Sequence, residues 1–338
     1  MKVLLTGATG FLGGWIAREL AAAGHAVRAL VRASSKLDNL DGLPVERAEG
    51  DVLDEASVVR ALQGCEAVVH TAGIAHFNPD SREHMYAVNV RGVEIVLGAA
   101  LRAGVRRAVL TSSVAAMGGS PLPRVADEHT PSNAEELGIH YMISKLHGER
   151  AALRLGTQGL PVCVLRPAVL LGPGDIYRSS ATTILALARR ELPVYVPGGA
   201  SFCDVRDVAR AHAVALERGT PGEVYIVGGH NLKIGELVQA VSRRAGVQPP
   251  RQVSYAVALA VATAVEVGGR LLGRPVKLSR QLVRSSHLYT WVSSARAARE
   301  LGYTVRPLEE SIDETLRFFL KRGRLRPTTP ELYRLMGS

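Results

Sequence analysis

The chain has 338 residues, enough for one large domain or two intimately packed ones, and its 47% apolar share is that of an ordinary globular protein. The 41 basic and 31 acidic residues give a net charge of +10, but the excess is spread along the chain, rich in arginine and without a recognition motif, so nucleic acid is set aside as a partner. Three scattered cysteines, Cys65, Cys163 and Cys203, show no metal-ligand spacing and no disulfide frame, which points away from a metal site and toward a reducing, cytoplasmic setting.

In chain order, Lys2–Thr6 reads as a short apolar strand, followed by Gly7, Gly10 and Gly13 and by a helical run from Trp15 to Ala23. Strand, glycine turn and helix together predict dinucleotide binding. Gly7 permits the tight turn, Gly10 a close backbone approach to a pyrophosphate, and Gly13 close packing of helix on strand. The helix N-terminus then offers N–H groups to the phosphates. A cleavable leader is not expected, because cleavage would remove this motif.

Val27–Val31 is a second strand, and Arg32-Ala33-Ser34-Ser35-Lys36 follows where NAD sites carry an acidic residue. Arg32 suits adenine stacking and a 2′-phosphate, and Lys36 adds a donor, so NADP is expected over NAD; a solvated loop is the alternative. Val45–Ala48 is a third strand. Asp51 after it accepts from the adenine amino group or caps the helix Ala56–Leu62, and Val52 covers the ring. Ala67–His70 is a fourth strand. Thr71, Ala72 and Gly73 beyond it are small enough for close approach by the cofactor. His70 reads as structural, while His76 faces substrate or a mobile loop. A helix running to Arg102 contains Asn89, a poor interior helix former that implies a specific contact.

Arg107–Thr111 is a fifth strand, with the hydroxyls of Ser112 and Ser113 at its carboxyl end. Gly118–Pro131 reads as a loop lining the substrate site. In the helix Glu136–Leu155, Tyr141 and Lys145 share one face. The ammonium favours the phenolate and lowers the tyrosine pKa, suiting proton exchange at a carbonyl or alcohol oxygen, and the lysine also suits ribose hydroxyls. A surface aromatic–cation pair is the alternative.

Pro161–Leu165 is a sixth strand, and Leu170–Tyr177 a loop. Helices are expected over Thr182–Arg190, Val208–Glu217 with Asp207 as its cap, Ile234–Ala245, Ala295–Leu301 with Ser293 or Ser294 as its cap, and Glu309–Leu320. Pro193–Val196 and Glu223–Val227 read as short strands, Gly198-Gly199 as a turn and Leu271–Val276 as a linker. Tyr255–Val267 is apolar but too short to span a bilayer, so it reads as a substrate-cap helix and membrane association is not expected, with a hydrophobic substrate or weak membrane association as the competing reading. These pieces look too short and interrupted for a second independent sheet domain. The division expected is a nucleotide-binding domain over 1–170, a mainly substrate-binding region over 171–320 with crossings back, and a basic tail over 321–338.

The ordered set Thr6-Gly7-Ala8-Thr9-Gly10-Phe11-Leu12-Gly13, Asp51-Val52, His70-Thr71-Ala72-Gly73, Asn89, Ser112-Ser113, Tyr141-Met142-Ile143-Ser144-Lys145, Leu165-Arg166-Pro167, Gly172-Pro173-Gly174 and the run Ser293–Tyr303 resembles an extended short-chain dehydrogenase/reductase. Phe202–Ala209 and Val227–Leu232 are most similar to the dihydroflavonol-reductase-like branch, including bacterial hopanoid-associated sugar epimerase/dehydrogenase homologues. The resemblance implies an α/β, Rossmann-type parallel sheet with helices on both faces and a smaller substrate-binding region. It implies Tyr141 as catalytic acid/base, Lys145 as pKa modulator and ribose ligand, and Ser113, or Ser112 after a one-residue slip, as the hydroxyl on the reacting oxygen. Asn89 would stand near the lysine or a proton-relay water. Gly7, Thr9, Gly10, Phe11, Leu12, Gly13, Thr71, Ala72, Gly73 and Pro167 would contact the cofactor. The activity implied is NADP-dependent, reversible reduction of a small-molecule carbonyl to an alcohol, with a homodimer as the assembly. An NAD-dependent nucleotide-sugar epimerase or dehydratase, and a redox-inactive NADP-binding regulatory or scaffold protein, are the alternatives.

Overall fold

Most of the first-half strands are short and apolar, and helices with one apolar face follow several of them, a pattern that buries both in a parallel sheet covered on two sides. The computed structural model shows this arrangement and describes residues 1–75, 82–176, 181–271 and 279–337. His76, Tyr177 and the linker from 272 onward lie outside the described residues.

The elements of the first half are β1 (Lys2–Thr6), α1 (Phe11–Ala22), β2 (Ala26–Val31), β3 (Val45–Glu49), α2 (Glu55–Leu62), β4 (Ala67–His70), α3 (Arg82–Tyr86), α4 (Gly92–Arg102), β5 (Arg107–Thr111), β6 (Val125–Ala126), α5 (Ala134–Leu137) and α6 (His140–Thr157). The second half contains β7 (Val162–Pro167), β8 (Val169–Leu171), α7 (Thr182–Ala188), β9 (Val194–Tyr195), β10 (Gly199–Asp204), α8 (Val205–Arg218), β11 (Val224–Val227), β12 (His230–Lys233), α9 (Ile234–Ala245), β13 (Arg251–Gln252), α10 (Tyr255–Leu271), α11 (Arg280–Ser286), β14 (Tyr289–Val292), α12 (Ala295–Leu301), α13 (Leu308–Lys321) and α14 (Pro330–Gly337).

The main sheet has seven parallel strands in the order β11-β7-β5-β4-β1-β2-β3. The chain moves outward one way from β1 through β2 and β3, then returns to build the other half from β4. This reversal leaves a crevice at the carboxyl ends of β1 and β4, where ligands bind in such sheets. One face buries Leu5, Ile16, Leu20, Val69, Val205 and Leu216 under α1 and α8. The other buries Leu4, Val68, Leu97, Leu110 and Val164 under α2, α4 and α6.

Several expectations are corrected. The helix expected over Glu136–Leu155 is two helices, because Gly138 takes a left-handed conformation and ends α5 before α6 begins. Asp207 is not the cap of α8: β10 runs straight into the helix, so Asp204 caps it by accepting from the Arg206 N–H at 2.9 Å, and Asp207 pairs with Arg306 at 2.8 Å instead. Gly199 is the first residue of β10 rather than a turn. The chain also builds a second, smaller sheet, β12-β10-β14-β6 with β8 also on β10, without this bearing on the expected division into domains. Its strands come from five distant segments, so no local run of sequence announced it.

A further core lies between α7, α9, α13 and α14, centred on Ile184, Val241, Ile312, Leu316 and Leu332. The tail is therefore not simply a solvated end, since α14 sinks Leu332 and Leu335 into this core. The loop Gly118–Pro131 is tied partly to sheet edges. Ser120 exchanges backbone hydrogen bonds with Tyr289, and the Glu128 carboxylate accepts from the Ile226 N–H on edge strand β11 at 2.9 Å.

Candidate active site

At the end of β1 the glycine turn is shaped by exclusion. A Cβ on Gly7, whose φ is +71°, would lie 2.6 Å from the backbone nitrogen of Ala72, and one on Gly13 would lie 2.1 Å from the carbonyl oxygen of Gly7. Only hydrogen fits at either position. A Cβ on Gly10 would meet only the Gly7 oxygen, at 3.1 Å, and would otherwise project into open space. α1 starts at Phe11, directly on the turn and four residues before the expected Trp15, with no side chain capping its N-terminus and no acidic residue in its first turn. Such an end is free to receive an anion. Phe11 and Leu12 bury their side chains in the core, so their contribution here is through backbone. Asn39 fastens the turn, its amide donating to the carbonyls of Thr9 at 3.2 Å and Gly10 at 3.1 Å. Trp15 donates to the Pro173 carbonyl at 2.7 Å, drawing the loop after β8 over α1.

Arg32 and Lys36 are both exposed just beyond the end of β2, with no acidic residue between them. The next acid, Asp38, is engaged by Arg322 at 2.9 Å, and that hydrogen bond holds its carboxyl below the usual range. Asp51 accepts from the Leu53 N–H at 2.9 Å while Asp54 caps α2, which separates Asp51 from the capping role. Val52 lies against Gly92 at the start of α4.

Thr71, Ala72 and Gly73 leave β4 beside the glycine turn. Thr6 accepts from the Ala72 N–H at 3.3 Å and meets His70 Nδ1 at 2.7 Å; burial first, then the Lys145 charge, pushes His70 down to about 3, so the ring stays neutral. Asn89 sits in a π-helical turn, Ala87–Arg91, between α3 and α4. Its amide bridges both backbone groups of Ile74, at 2.8 and 2.9 Å, and the hydroxyl of Ser144 at 3.0 Å. Asn89 thus pins the segment after β4 to α6.

Two adjacent serines end β5 with different partners. Ser112 donates to Glu149 at 2.7 Å, and Glu149 also receives Arg166 Nε at 2.9 Å, forming a buried cluster under the site. Ser113 caps a short 3-10 turn by accepting from the Ala115 N–H at 3.1 Å, and its hydroxyl hydrogen-bonds Tyr141. Lys145, one turn beyond Tyr141 on α6, donates to the Thr111 carbonyl at 2.9 Å. Ser113, Tyr141 and Lys145 therefore converge at the carboxyl end of β5, and Pro167 ends the neighbouring strand β7.

Tyr141 and Lys145 keep part of their surface open but are enclosed by protein on most sides. Burial raises the Tyr141 pKa, and the Ser113 hydroxyl opposes that rise. The expectation that Lys145 lowers the tyrosine pKa is not met: burial raises it, with Ser113 alone opposing, and the Lys145 ammonium donates to the Thr111 carbonyl. Burial lowers Lys145 to about 8, against the opposing charge of Glu149. No cluster of metal-ligating side chains exists among the described residues, and no helix among them is long and apolar enough to cross a membrane.

The supporting roles of Asn39, Trp15 and Glu149 go unread in the sequence, where Ser112 stands only as an alternative to Ser113 and Arg166 only within a motif; Glu149 does carry a signal, being four residues beyond Lys145 on the same helix face.

The sequence profile of the NAD dependent epimerase/dehydratase family matches residues 3–228. A Synechocystis sp. protein assigned provisionally as a dihydroflavonol 4-reductase is 35% identical over 94% of both chains. Sterol demethylase protein B of Methylococcus capsulatus is 34% identical over 96% of this chain and 99% of its own. Among solved structures, a nucleoside-diphosphate-sugar epimerase from Pseudomonas aeruginosa superposes with a TM-score of 0.81 at 28% identity, covering 96% of this chain and 99% of that one.

Proposed function

The chain belongs to the NAD dependent epimerase/dehydratase family and is an enzyme of the extended short-chain dehydrogenase/reductase type, and on that premise we propose that it reversibly reduces a carbonyl to an alcohol with NADPH. The observation that carries this reading is the hydrogen bond between Ser113 and Tyr141, set beside Lys145 at the strand end next to the glycine cradle. The cradle fits a dinucleotide: the open space at Gly10 and the uncapped start of α1 suit a pyrophosphate. Arg32 and Lys36 suit a 2′-phosphate, and the first carboxylate after them in the chain, Asp38, is occupied by Arg322.

When bound, the nicotinamide supplies the hydride to the carbonyl carbon. Tyr141 donates its proton to the oxygen as negative charge develops there, and solvent restores that proton afterwards. The raised tyrosine pKa keeps the phenol protonated at neutral pH, which suits the acid role in reduction. Ser113 accepts from the Ala115 N–H, so its own proton is directed at Tyr141 and can turn to the reacting oxygen held between the two hydroxyls. Lys145 is held for the nicotinamide ribose by the Thr111 carbonyl, and Asn89 fixes the helix from which both it and Tyr141 project.

The family also contains nucleotide-sugar epimerases and dehydratases, and the fold shared with the Pseudomonas epimerase favours that second reading. Cofactor-depleted protein titrated with NADPH and NADH, followed by a carbonyl panel monitored by NADPH oxidation, separates the two. Tighter NADPH binding with turnover of a carbonyl compound supports the reductase. Retained NAD with interconversion of a nucleotide sugar replaces it, and NADPH binding without turnover of any compound leaves a binding protein.

A further inference from the structure

The basic tail opens with a residue that reaches across the molecule. Its base is rigid, because α13 sinks Ile312, Leu316, Phe319 and Leu320 into the core of the second half. Arg322 follows the last residue of that helix. Its backbone N–H donates to the Phe318 carbonyl at 3.1 Å, and its guanidinium carbon lies 5.6 Å from the centre of the Phe318 ring. From there the guanidinium donates at 2.9 Å to the carboxylate of Asp38, 284 residues earlier in the chain. The two side chains are 46% and 39% exposed, so the pair adds little to folding stability and its place in the fold asks for another reason.

That reason lies in where Asp38 stands. It opens the 3-10 turn Asp38–Leu40, two residues after Lys36 on the segment that leaves β2 through Arg32. The turn is fixed to the glycine cradle. Leu40 is 2% exposed in the main core, Asn39 donates to the carbonyls of Thr9 and Gly10, and Arg18 donates to the Asn39 carbonyl at 3.0 Å. Asp38 therefore cannot carry its charge away from the cofactor loop. The Arg322 hydrogen bond, above all, holds its carboxyl below the usual range, and the Lys36 charge acts on it in the same sense. A carboxylate left unpaired here would compete for Lys36 and repel a 2′-phosphate. Residues 32–38 carry Arg32 and Lys36 against Asp38, and Arg322 doubles their single net positive charge.

We propose that Arg322 determines cofactor specificity from outside the nucleotide-binding half, by pairing Asp38 and so keeping the loop after β2 cationic toward the 2′-phosphate of NADP. The inference rests on the reading of Arg32 and Lys36 as the 2′-phosphate site. Arg322 is a positioning residue in this account: it acts through Asp38 and touches no cofactor atom. The start of the basic tail thereby gains a role at the adenosine end of the site, and the pair joins the cofactor loop to the core of α7, α9, α13 and α14.

The test is titration of the cofactor-depleted full chain with NADPH and with NADH, at low and at high salt. R322Q is expected to weaken NADPH binding about threefold to tenfold at low salt and NADH binding less than about twofold, with the loss shrinking as salt is raised. Its melting temperature should stay close to that of wild type, because the pair is exposed. R322Q/D38N, which removes both charges, is expected to recover NADPH affinity to within about twofold of wild type. Wild type that prefers NADPH, with the same preference in R322Q, overturns the proposal and leaves the 2′-phosphate site standing. R322Q/D38N that binds NADPH as weakly as R322Q also overturns it, since Arg322 then does not act through Asp38. Wild type that binds NADH more tightly than NADPH overturns the 2′-phosphate site itself, and the proposal with it.

Discussion

Lys145 Nζ and the carbonyl oxygen of Thr111 lie 2.9 Å apart, which ties the ammonium of α6 to the end of β5, two residues before Ser113. The contact positions the lysine but does not offset its burial, since its pKa falls from 10.5 to about 8. Between those two values the unfolded chain holds a proton that the folded chain has released, so this group makes stability rise with pH across that window. Below about 8 it carries its full cost, about 3 kcal/mol at most, trimmed by the solvent it still meets. Lys145→Met should lose turnover, and its stability relative to wild type should fall by about 2 kcal/mol between pH 7 and pH 10 as that cost lifts from the wild type. Urea unfolding of both proteins at the two pH values measures this; a difference that does not change with pH contradicts it.

The glycines of the turn should separate stability from binding. Gly13→Ala drives a methyl into the Gly7 carbonyl and should cost about 2–3 kcal/mol or more of folding free energy. Gly10→Ala meets that same oxygen only at 3.1 Å, so it should cost about 1 kcal/mol or less while weakening dinucleotide binding about tenfold or more. Urea denaturation paired with NADPH titration reads both effects. Equal stability losses in the two variants would show that the cradle geometry is wrong.

The two serines after β5 should part in the same manner. Ser113→Ala removes the hydroxyl that reaches Tyr141 and should lower turnover about 10²–10³-fold with little change in stability. Ser112→Ala takes a hydrogen bond from the buried Glu149–Arg166 pair and should cost about 1–2 kcal/mol of stability while leaving turnover within severalfold of wild type. Steady-state kinetics with urea unfolding decides the assignment, and the reverse pattern would move the role to Ser112.

Arg32→Asp should invert cofactor preference. The side chain is exposed, so stability should stay within about 0.5 kcal/mol of wild type. The NADPH-to-NADH ratio of dissociation constants should move about tenfold or more toward NADH, because a carboxylate repels a 2′-phosphate and accepts from ribose hydroxyls. Fluorescence titration with both dinucleotides tests it; an unchanged ratio would mean that Arg32 only decorates the loop.

The main sheet was legible because its central strands β1, β4, β5 and β7 are largely apolar runs, and parallel strands buried on both faces carry that signal locally. The glycine turn, Ser113, Tyr141 and Lys145 were legible for a similar reason: the chemistry requires particular residue types at short spacings. The second sheet was not. β12 and β14 are brief, β10 is mixed in polarity, and each finds its partner through segments far away in the chain. Asp204 was passed over for Asp207 because both are acids near a helix start, and only the direct junction of β10 with α8 decides between them. Asn39 and Arg166 act through tertiary contacts that leave no periodicity. The sign of the Tyr141 shift depends on how deeply the ring is enclosed, which no spacing of residues reveals.

The central claim is that Tyr141 transfers the proton in a redox step, and Tyr141→Phe tests it most directly. With a substrate that the wild type turns over, the account predicts NADPH affinity within about twofold of wild type, a retained fold, and a loss of kcat of about 10²–10⁴-fold. Wild-type-like turnover by Tyr141→Phe on that substrate would contradict it.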